Sequence, residues 1–437
     1  MLGRWYRIAG VSLLLASAAS PQELAPEVLL LSRIKRHLRE ELAHVPNYTC
    51  LETISRFRDD PKSRLQLRKG LTKLDTVRLE IVYSDGKEWY GSPGARNLSE
   101  ENPVAFVGSG MIGNGAFAMT LHSTVEGGIF TYRGEETLDG RPTVKYDFRV
   151  PRLLKPLQIS MAGGAGTVGE EGSIWVDPES LDLIRVESRA AEIPPSLPLQ
   201  ESTTNVDFAR MRIGGSDALL AQEADLNMLD DDGVESYNRI DFTHCRSYAA
   251  TSAISFDSKP EGTGEAAAGT FPLGANAPGP GAGPAVPAFL EVTVLLTTPV
   301  SDKDTVGTLI EGRVSGDVVQ KGKVAVPDGS VVRGRIRRLE HYQDRAVYAV
   351  GLEFAEVEVR GELLPFYADL LRVDKDPRIQ PELSERKYAI VRSSPRLANE
   401  TITMPELPGV ASFFIKDAHF TLPAGFRMVW RTRGVLR

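Results

Sequence analysis

Alternating apolar and polar residues, interrupted by turn-forming pairs, dominate the first half of this 437-residue chain. In residues 76–84 apolar side chains occupy every second position, and the pair Asp85-Gly86 that follows favours a tight hairpin turn. Three similar pairs occur farther along the chain: Asp139-Gly140, Asp177-Pro178 and Asp232-Gly233. Because successive hairpins build an antiparallel meander, this pattern predicts one large antiparallel sheet.

One helical pattern precedes these strands. Leu31, Ile34, Leu38 and Leu42 recur at helical spacing, which predicts an amphipathic helix from about residue 26 to 44. The apolar stripe of such a helix must be buried, and the concave face of the sheet is the surface that we expect to cover it.

The second half of the chain has its own strand pattern. Residues 258–287 are rich in Gly, Pro and Ala and lack periodicity, which is typical of a linker. Short strands are predicted from residue 288 onward, and the segment 361–373 is interpreted as one short helix. The predicted fold class is α+β and all-β, an N-terminal antiparallel half-barrel wrapped on a long helix and then a small C-terminal β-barrel or sandwich. The predicted domains are a signal peptide (1–20), the half-barrel domain (21–257), the linker (258–287) and the β-barrel domain (288–437).

The N-terminus has the features of an export signal. Arg4 and Arg7 precede a short apolar run, and Ala16-Ser17-Ala18 matches a cleavage site. The run is shorter than the roughly 20 residues that span a bilayer. We therefore expect an exported, periplasmic or envelope-associated protein whose signal peptide is removed and whose mature chain has no transmembrane span.

The chain has two cysteines, Cys50 and Cys245. In an exported protein such a pair is expected to form a disulfide. Two buried free thiols are the alternative.

No sequence motif indicates catalysis. Gly108, Gly110 and Gly113 spell G-x-G-x-x-G, but no βαβ pattern surrounds them, so they are interpreted as a turn and not as a dinucleotide-binding loop. The acidic segment 229–236 lacks two ligands of a calcium loop and is interpreted as a hairpin turn. We expect no catalytic residues, no metal site and no cofactor, and the net charge of −7 gives no reason to expect nucleic-acid binding.

The concave face of the predicted sheet is the candidate binding surface. An apolar face of this size must be filled by a helix, by a ligand such as an acyl chain or an apolar peptide, or by both. The alternative for each position is that the residue belongs only to the core. The candidate lining residues are Val77, Leu79, Ile81, Tyr83, Val144, Tyr146 and Phe148.

A basic strand in the second half is the candidate partner contact. Arg333, Arg335 and Arg337 are two residues apart and would share one face of a strand. They could meet an anionic or acidic partner in the envelope, and an ordinary solvated strand face is the alternative.

Two family resemblances add to these expectations. Residues 25–257, with "YSDGKEWYG" and "GSIWVDPESLDLIRVE", resemble the LolA-like periplasmic lipoprotein carriers and envelope sensors. That resemblance implies a half-open β-barrel that a helix plugs and whose concave face holds acyl chains. The C-terminal part, with "VAVPDGSVVRGRI" and "LPAGFRMVWRT", resembles the TrbI-like conjugal-transfer β-barrel, which implies a small barrel that assembles in the envelope.

The sequence therefore predicts an exported, non-enzymatic cell-envelope protein that handles or senses a lipid or a lipoprotein. The alternative is a structural or interaction protein, of the envelope or of a secretion-type assembly, that binds no small ligand and contacts an envelope protein through its C-terminal domain. An exported hydrolase is a third alternative, which would need a catalytic triad that no motif indicates.

Overall fold

The computed structural model describes residues 24–59, 70–84, 86–95, 98, 125–154, 157–161, 164–248, 286–381, 407 and 409–434. The predicted signal peptide, the glycine-rich motif at 108–113 and all but the last two residues of the predicted linker lie outside these ranges. Within the described ranges, no helix is long and apolar enough to cross a membrane.

A single long helix and eleven strands form the first half. The helix α1 spans Pro26–His44, the residues for which a helix is predicted. The strands are β1 (Tyr48–Asp59), β2 (Thr72–Ser84), β3 (Lys87–Gly91), β4 (Ile129–Leu138), β5 (Arg141–Val150), β6 (Leu157–Met161), β7 (Gly164–Val176), β8 (Leu183–Ala191), β9 (Leu199–Ile213), β10 (Ser216–Asp230) and β11 (Glu235–Ser247).

These strands form one antiparallel sheet, here called the first sheet. Its strand order is β3-β2-β1-β11-β10-β9-β8-β7-β5-β4, and β6 pairs with β7. The order follows the chain except that β1 lies between β2 and β11. As a result the edges of the sheet are β3 and β4, which are consecutive strands, and the sheet is a curled half-barrel that is open between them.

The pairing of β1 with β11 places the two cysteines on neighbouring strands. Cys50 of β1 and Cys245 of β11 form a disulfide between residues 195 positions apart. The predicted bridge is confirmed. It closes a very long loop, which is the arrangement in which a cross-link restricts the unfolded chain most strongly.

One face of the first sheet carries a continuous apolar row. Each member lies opposite the next in the strand register, and all are buried in the same core cluster as Ile34 and Leu38 of α1. The row consists of Val77, Ile54, Ile240, Ala224, Val206, Val186, Ile174 and Tyr146. Alternation along every strand therefore directs apolar side chains to the face on which α1 packs.

The described part of the second half consists of strands, two of them long, and one 3-10 helical turn at Gln343–Arg345. The strands are β12 (Glu291–Leu296), β13 (Val300–Ser301), β14 (Leu309–Val314), β15 (Val318–Gln320), β16 (Lys323–Val326), β17 (Val331–Tyr342), β18 (Val347–Val359), β19 (Glu362–Pro365), β20 (Ala368–Val373), β21 (Ile379–Pro381), β22 (Ala411–Lys416), β23 (Thr421–Leu422) and β24 (Arg427–Thr432). Nine of them form the second sheet, in the order β20-β24-β12-β14-β17-β18-β22-β21 with β19 beside β18. Two small ladders, β13-β23 and β15-β16, complete the second half.

The helix predicted over residues 361–373 is wrong. The segment forms β19 and β20, which pair with β18 and β24 respectively. Pro365 is the last residue of β19, and a proline in the middle of a helix removes a hydrogen bond and clashes with the preceding turn. Strand pairing with residues distant in the sequence determines the conformation of this segment, because the helical spacing of its leucines is only a weak local preference.

The two sheets are joined by a short backbone ladder. The amide of Arg78 donates to the carbonyl of Val306 over 3.0 Å, and the amide of Val306 donates to the carbonyl of Thr76 over 3.0 Å. This part of β2 is available because β3 pairs only with the other end of β2. Gly307 permits the approach, since a Cβ there would lie 2.7 Å from the Arg78 carbonyl oxygen and its φ is +97°.

A buried ionic cluster lies beside this ladder. The Nε of Arg56 donates to Asp75 over 2.6 Å, and a guanidinium nitrogen of Arg56 lies 3.8 Å from a carboxylate oxygen of Glu340 in β17. Glu340 also accepts a hydrogen bond of 2.6 Å from the Tyr342 hydroxyl and lies 3.5 Å from the Nε of Arg338. The side chains of Arg56, Arg338 and Glu340 are each only 1% exposed, so the charges of the two sheets compensate one another away from water.

We expect Arg56→Met to lower the free energy of unfolding by about 3 kcal/mol or more, because Asp75 and Glu340 would keep buried charges without their cation. Urea unfolding of the full chain measures the change. The control is Arg333→Met, which removes a half-exposed arginine of β17 that pairs with Glu311 and Glu358 and should cost less than about 1 kcal/mol. Equal losses in the two variants would contradict the assignment.

Candidate functional site

The seven predicted lining residues are all buried. Six of them belong to the core cluster that also contains Ile34 and Leu38 of α1. Tyr83 belongs to a second cluster around the disulfide, where its ring stacks on Tyr48 at a centroid distance of 5.4 Å. The strand register thus brings the predicted residues onto the helix-covered face, and a ligand-lining role for them stays a prediction.

A charged cluster fixes the middle of α1 to the first sheet. The Nε2 of His37 lies 2.9 Å from Asp182, which precedes β8. The guanidinium of Arg210 in β9 donates to both oxygens of Asp182, over 2.7 and 2.6 Å, and to Glu41 over 3.0 Å. Burial alone would raise the pKa of Asp182, but hydrogen bonds from Arg210 and His37 leave that pKa below its ordinary value.

The same cluster has the composition of a metal site but not its charge balance. Ligand atoms of His37, Glu41 and Asp182 all lie within 4.8 Å of one another. The Arg210 guanidinium already contacts both carboxylates and supplies the positive charge that a cation would bring. The arrangement is therefore suited to holding the helix. The sequence pattern could not reveal it, because Asp182 is 145 positions from His37.

Further contacts attach α1 near the β4 edge of the sheet. The Tyr146 hydroxyl of β5 donates to the carbonyl of Glu27 over 2.7 Å. The ammonium group of Lys35 lies 4.4 Å from the centre of the Phe130 ring in β4, and Arg39 pairs with Glu126 over 2.7 Å. These polar contacts of α1 to the sheet therefore all lie in the half of the sheet that runs from β9 to β4.

A second group of polar residues lies on the same face, near the open edge at β3. Glu52 of β1 is 0% exposed, and neither of its carboxylate oxygens has a hydrogen-bond partner among the described residues. Its register neighbours are Leu79 of β2 and Phe242 of β11. Burial, with a smaller effect of Glu88, raises the pKa of Glu52 to about 8.

Glu88 of β3 shares this environment. Its carboxylate accepts a hydrogen bond of 2.5 Å from the Tyr90 hydroxyl, which offsets part of the burial that raises the pKa of Glu88 to about 7. Sequence reasoning missed both glutamates. The available signal was position, since Glu52 lies between the inward residues Cys50 and Ile54 in an alternating strand.

The predicted basic strand face is occupied by partners within the chain. Arg333 pairs with Glu311 and Glu358, and Arg337 pairs with Glu353. Arg335 donates to the Gly307 carbonyl over 2.8 Å, and burial lowers its pKa. A partner-contact role for these three arginines stays a prediction.

Comparisons with known proteins found similar solved structures but no similar sequence. No protein-family model matches the chain, and no curated protein matches it in sequence. An outer membrane lipoprotein-sorting protein domain from Vibrio parahaemolyticus is 11% identical with a TM-score of 0.27, covering 50% of this chain and 93% of that one. A DUF1329 family protein from Desulfovibrio piger is 12% identical with a TM-score of 0.30, covering 52% and 96%.

A third solved structure is the Mycobacterium tuberculosis lipoprotein LppX, 10% identical with a TM-score of 0.20, covering 53% of this chain and 100% of that one. At TM-scores and identities this low, the likeness carries no argument about function. The LolA-like resemblance of the N-terminal part and the TrbI-like resemblance of the C-terminal part stay predictions.

We expect Glu52→Gln to become progressively more stabilising as pH rises. An unfolded glutamate loses its proton near pH 4.5, whereas folded Glu52 keeps it until about pH 8, so the wild-type protein loses stability across this interval. The difference in unfolding free energy between the variant and the wild type should change by up to roughly 4 kcal/mol between the two ends of the interval.

Urea unfolding at a series of pH values measures this difference. Glu201→Gln, at an exposed position of β9, is the control and should show a flat difference. A pH-independent difference for Glu52→Gln would show that Glu52 ionises as it does in water.

Proposed function

We propose that this chain is an exported, non-enzymatic cell-envelope protein whose first sheet and α1 bind an acyl chain or an apolar peptide. The observation that carries the proposal is the apolar row that crosses the concave face from Val77 to Tyr146. Its lining would include Val77, Leu79, Ile81, Tyr83, Val144, Tyr146 and Phe148. Transfer of apolar surface out of water supplies about 25 cal/mol per Å² to such binding.

The dimensions of the first sheet favour a concave face on which α1 can be displaced. Ten strands lie side by side in the first sheet, about 4.8 Å apart, so its curved face is roughly 43 Å across. A helix is only about 10 Å wide. Only Ile34 and Leu38 of α1 are fully buried, Leu30, Leu31 and Leu42 are partly buried against the same core, and polar contacts to residues such as Asp182, Arg210 and Tyr146 add to the attachment. An apolar ligand would replace the helix on part of the face and leave those polar contacts to guide its return.

The proposed compartment rests on the disulfide and on the N-terminal segment. The Cys50–Cys245 disulfide is stable in an oxidising compartment, which suits export directed by residues 1–20. We propose a periplasmic or envelope-associated location, with domains 21–257 and 288–437 connected by the linker 258–287.

Native mass spectrometry tests the ligand. We expect protein purified from the periplasm without detergent, lacking residues 1–20, to carry a discrete added mass in the lipid or peptide range that organic extraction removes. Extracted protein, refolded and offered a fatty acid, should regain one equivalent. A clean apo mass before extraction and no uptake afterwards would contradict the proposal.

A second candidate function is a structural or interaction protein of the envelope with no small ligand. The buried cluster of Arg56, Asp75 and Glu340 favours it, because this cluster fixes the two sheets as one rigid surface. In that case Arg333, Arg335 and Arg337 would contact an envelope partner. Capture of a defined partner that depends on these arginines, together with the clean apo mass, is the expected result for this function.

A further inference from the structure

The Glu52 carboxyl is in an energetically costly position. It is fully buried on the concave face between Leu79 and Phe242, and both of its oxygens lack a hydrogen-bond partner within the described chain. A buried polar group without a partner destabilises the folded state, because it has lost its hydrogen bonds to water. Leucine would fit the alternation of β1 at this position without that cost.

The groups around Glu52 are acidic or phenolic. Glu88 and Tyr90 interact electrostatically with it, and Glu88 in turn interacts with Tyr48 and Tyr83. Among the described residues, no arginine, lysine or histidine contributes to the pKa of Glu52 or Glu88. This acid–tyrosine cluster, Glu52, Glu88, Tyr48, Tyr83 and Tyr90, therefore lacks a positive charge of its own.

The residues of the acid–tyrosine cluster determine which kind of cation it could bind. Calcium takes six to eight oxygen ligands and magnesium keeps several waters, which two carboxylates among aromatic rings do not provide. An organic ammonium group donates hydrogen bonds to carboxylates and is attracted to the faces of tyrosine rings. The Tyr48 and Tyr83 rings, stacked at 5.4 Å, present such faces beside Glu88.

We propose that the acid–tyrosine cluster binds the ammonium group of an amphiphilic ligand whose apolar part lies along the concave face. The inference rests on the proposed function for the apolar part and adds the chemistry of the head group. Glu88 supplies negative charge above about pH 7, and the cation of the ligand would lower the pKa of the Glu52 carboxyl, so that Glu52 ionises as well when the ligand binds. The ammonium group could belong to a lipid head group or to a peptide amino terminus.

Isothermal titration calorimetry with short amphiphiles of one chain length tests the site. The probes are octylamine, octan-1-ol and octanoate, titrated into the full mature chain at about pH 8, where Glu88 is ionised. We expect octylamine to bind about tenfold more tightly than octan-1-ol, because a hydrogen bond to a charged group is stronger than one between neutral groups. Glu52→Gln should abolish this preference.

Glu170→Gln is the matched control. Glu170 of β7 is another buried glutamate of the first sheet whose pKa burial raises, so its replacement repeats the chemical change at a different place. The control should keep the amine preference. Glu88→Gln provides a second test of the cluster if Glu52→Gln does not fold.

The outcomes separate the two proposals. Equal binding of octylamine and octan-1-ol would overturn the ammonium site and leave the apolar site standing. Absence of binding by all three probes would overturn both. Binding of calcium chloride that Glu52→Gln abolishes, without an amine preference, would overturn the ammonium assignment in favour of a metal ion. If octylamine is preferred, two further ligands identify the source of the ammonium group. One is an aminophospholipid, and the other is an apolar peptide that is tested with a free and with an acetylated amino terminus.

Discussion

The pairing of β1 with both β2 and β11 organises the first half of the molecule. It inserts the first strand of the sheet between the second and the last, and so it leaves β3 and β4 as open edges. Every second side chain of β1 points inward, and each of these side chains has a different kind of partner. Cys50 is bonded to Cys245, Glu52 lies in the acid–tyrosine cluster, Ile54 is in the apolar row and Arg56 compensates the charges between the sheets.

The helix α1 and the second sheet are attached to the first sheet in different ways. Few of the residues of α1 are fully buried, and exposed or half-buried polar contacts with modest individual energies add to its attachment. The second sheet is joined through backbone hydrogen bonds and a fully buried ionic cluster, whose disruption is far more costly. Any opening of the face is therefore expected on the side of α1.

Much of the first sheet could be predicted from sequence because its signals are local. Alternation and the turn at Asp139-Gly140 specify the hairpin between β4 and β5, and helical spacing specifies α1. The sequence also indicated that Cys50 and Cys245 form a disulfide, through composition and compartment. The segment 361–373 was misassigned because local spacing carries no information about its partners in β18 and β24.

The polar parts of the candidate site are non-local, and local patterns could not identify them. Asp182 and Arg210 meet His37 only after the sheet curls over the helix. For Glu52 the alternation of β1 indicated an inward position, but no local pattern shows that Glu88 of β3 lies near it. Arg335 and Arg337 were noticed for their charge, whereas the neighbouring Arg338, which is buried, has the stronger structural role.

The ladder between Val306 and β2 has a consequence for the behaviour of the protein at high concentration. Beyond the end of β3, the amide of Arg78 and the carbonyl of Thr76 form an open strand edge that could template pairing with another chain. Val306 occupies that edge for only two hydrogen bonds, and Gly307 then turns the chain away. The second half of the chain thus blocks pairing with another chain at this stretch of β2.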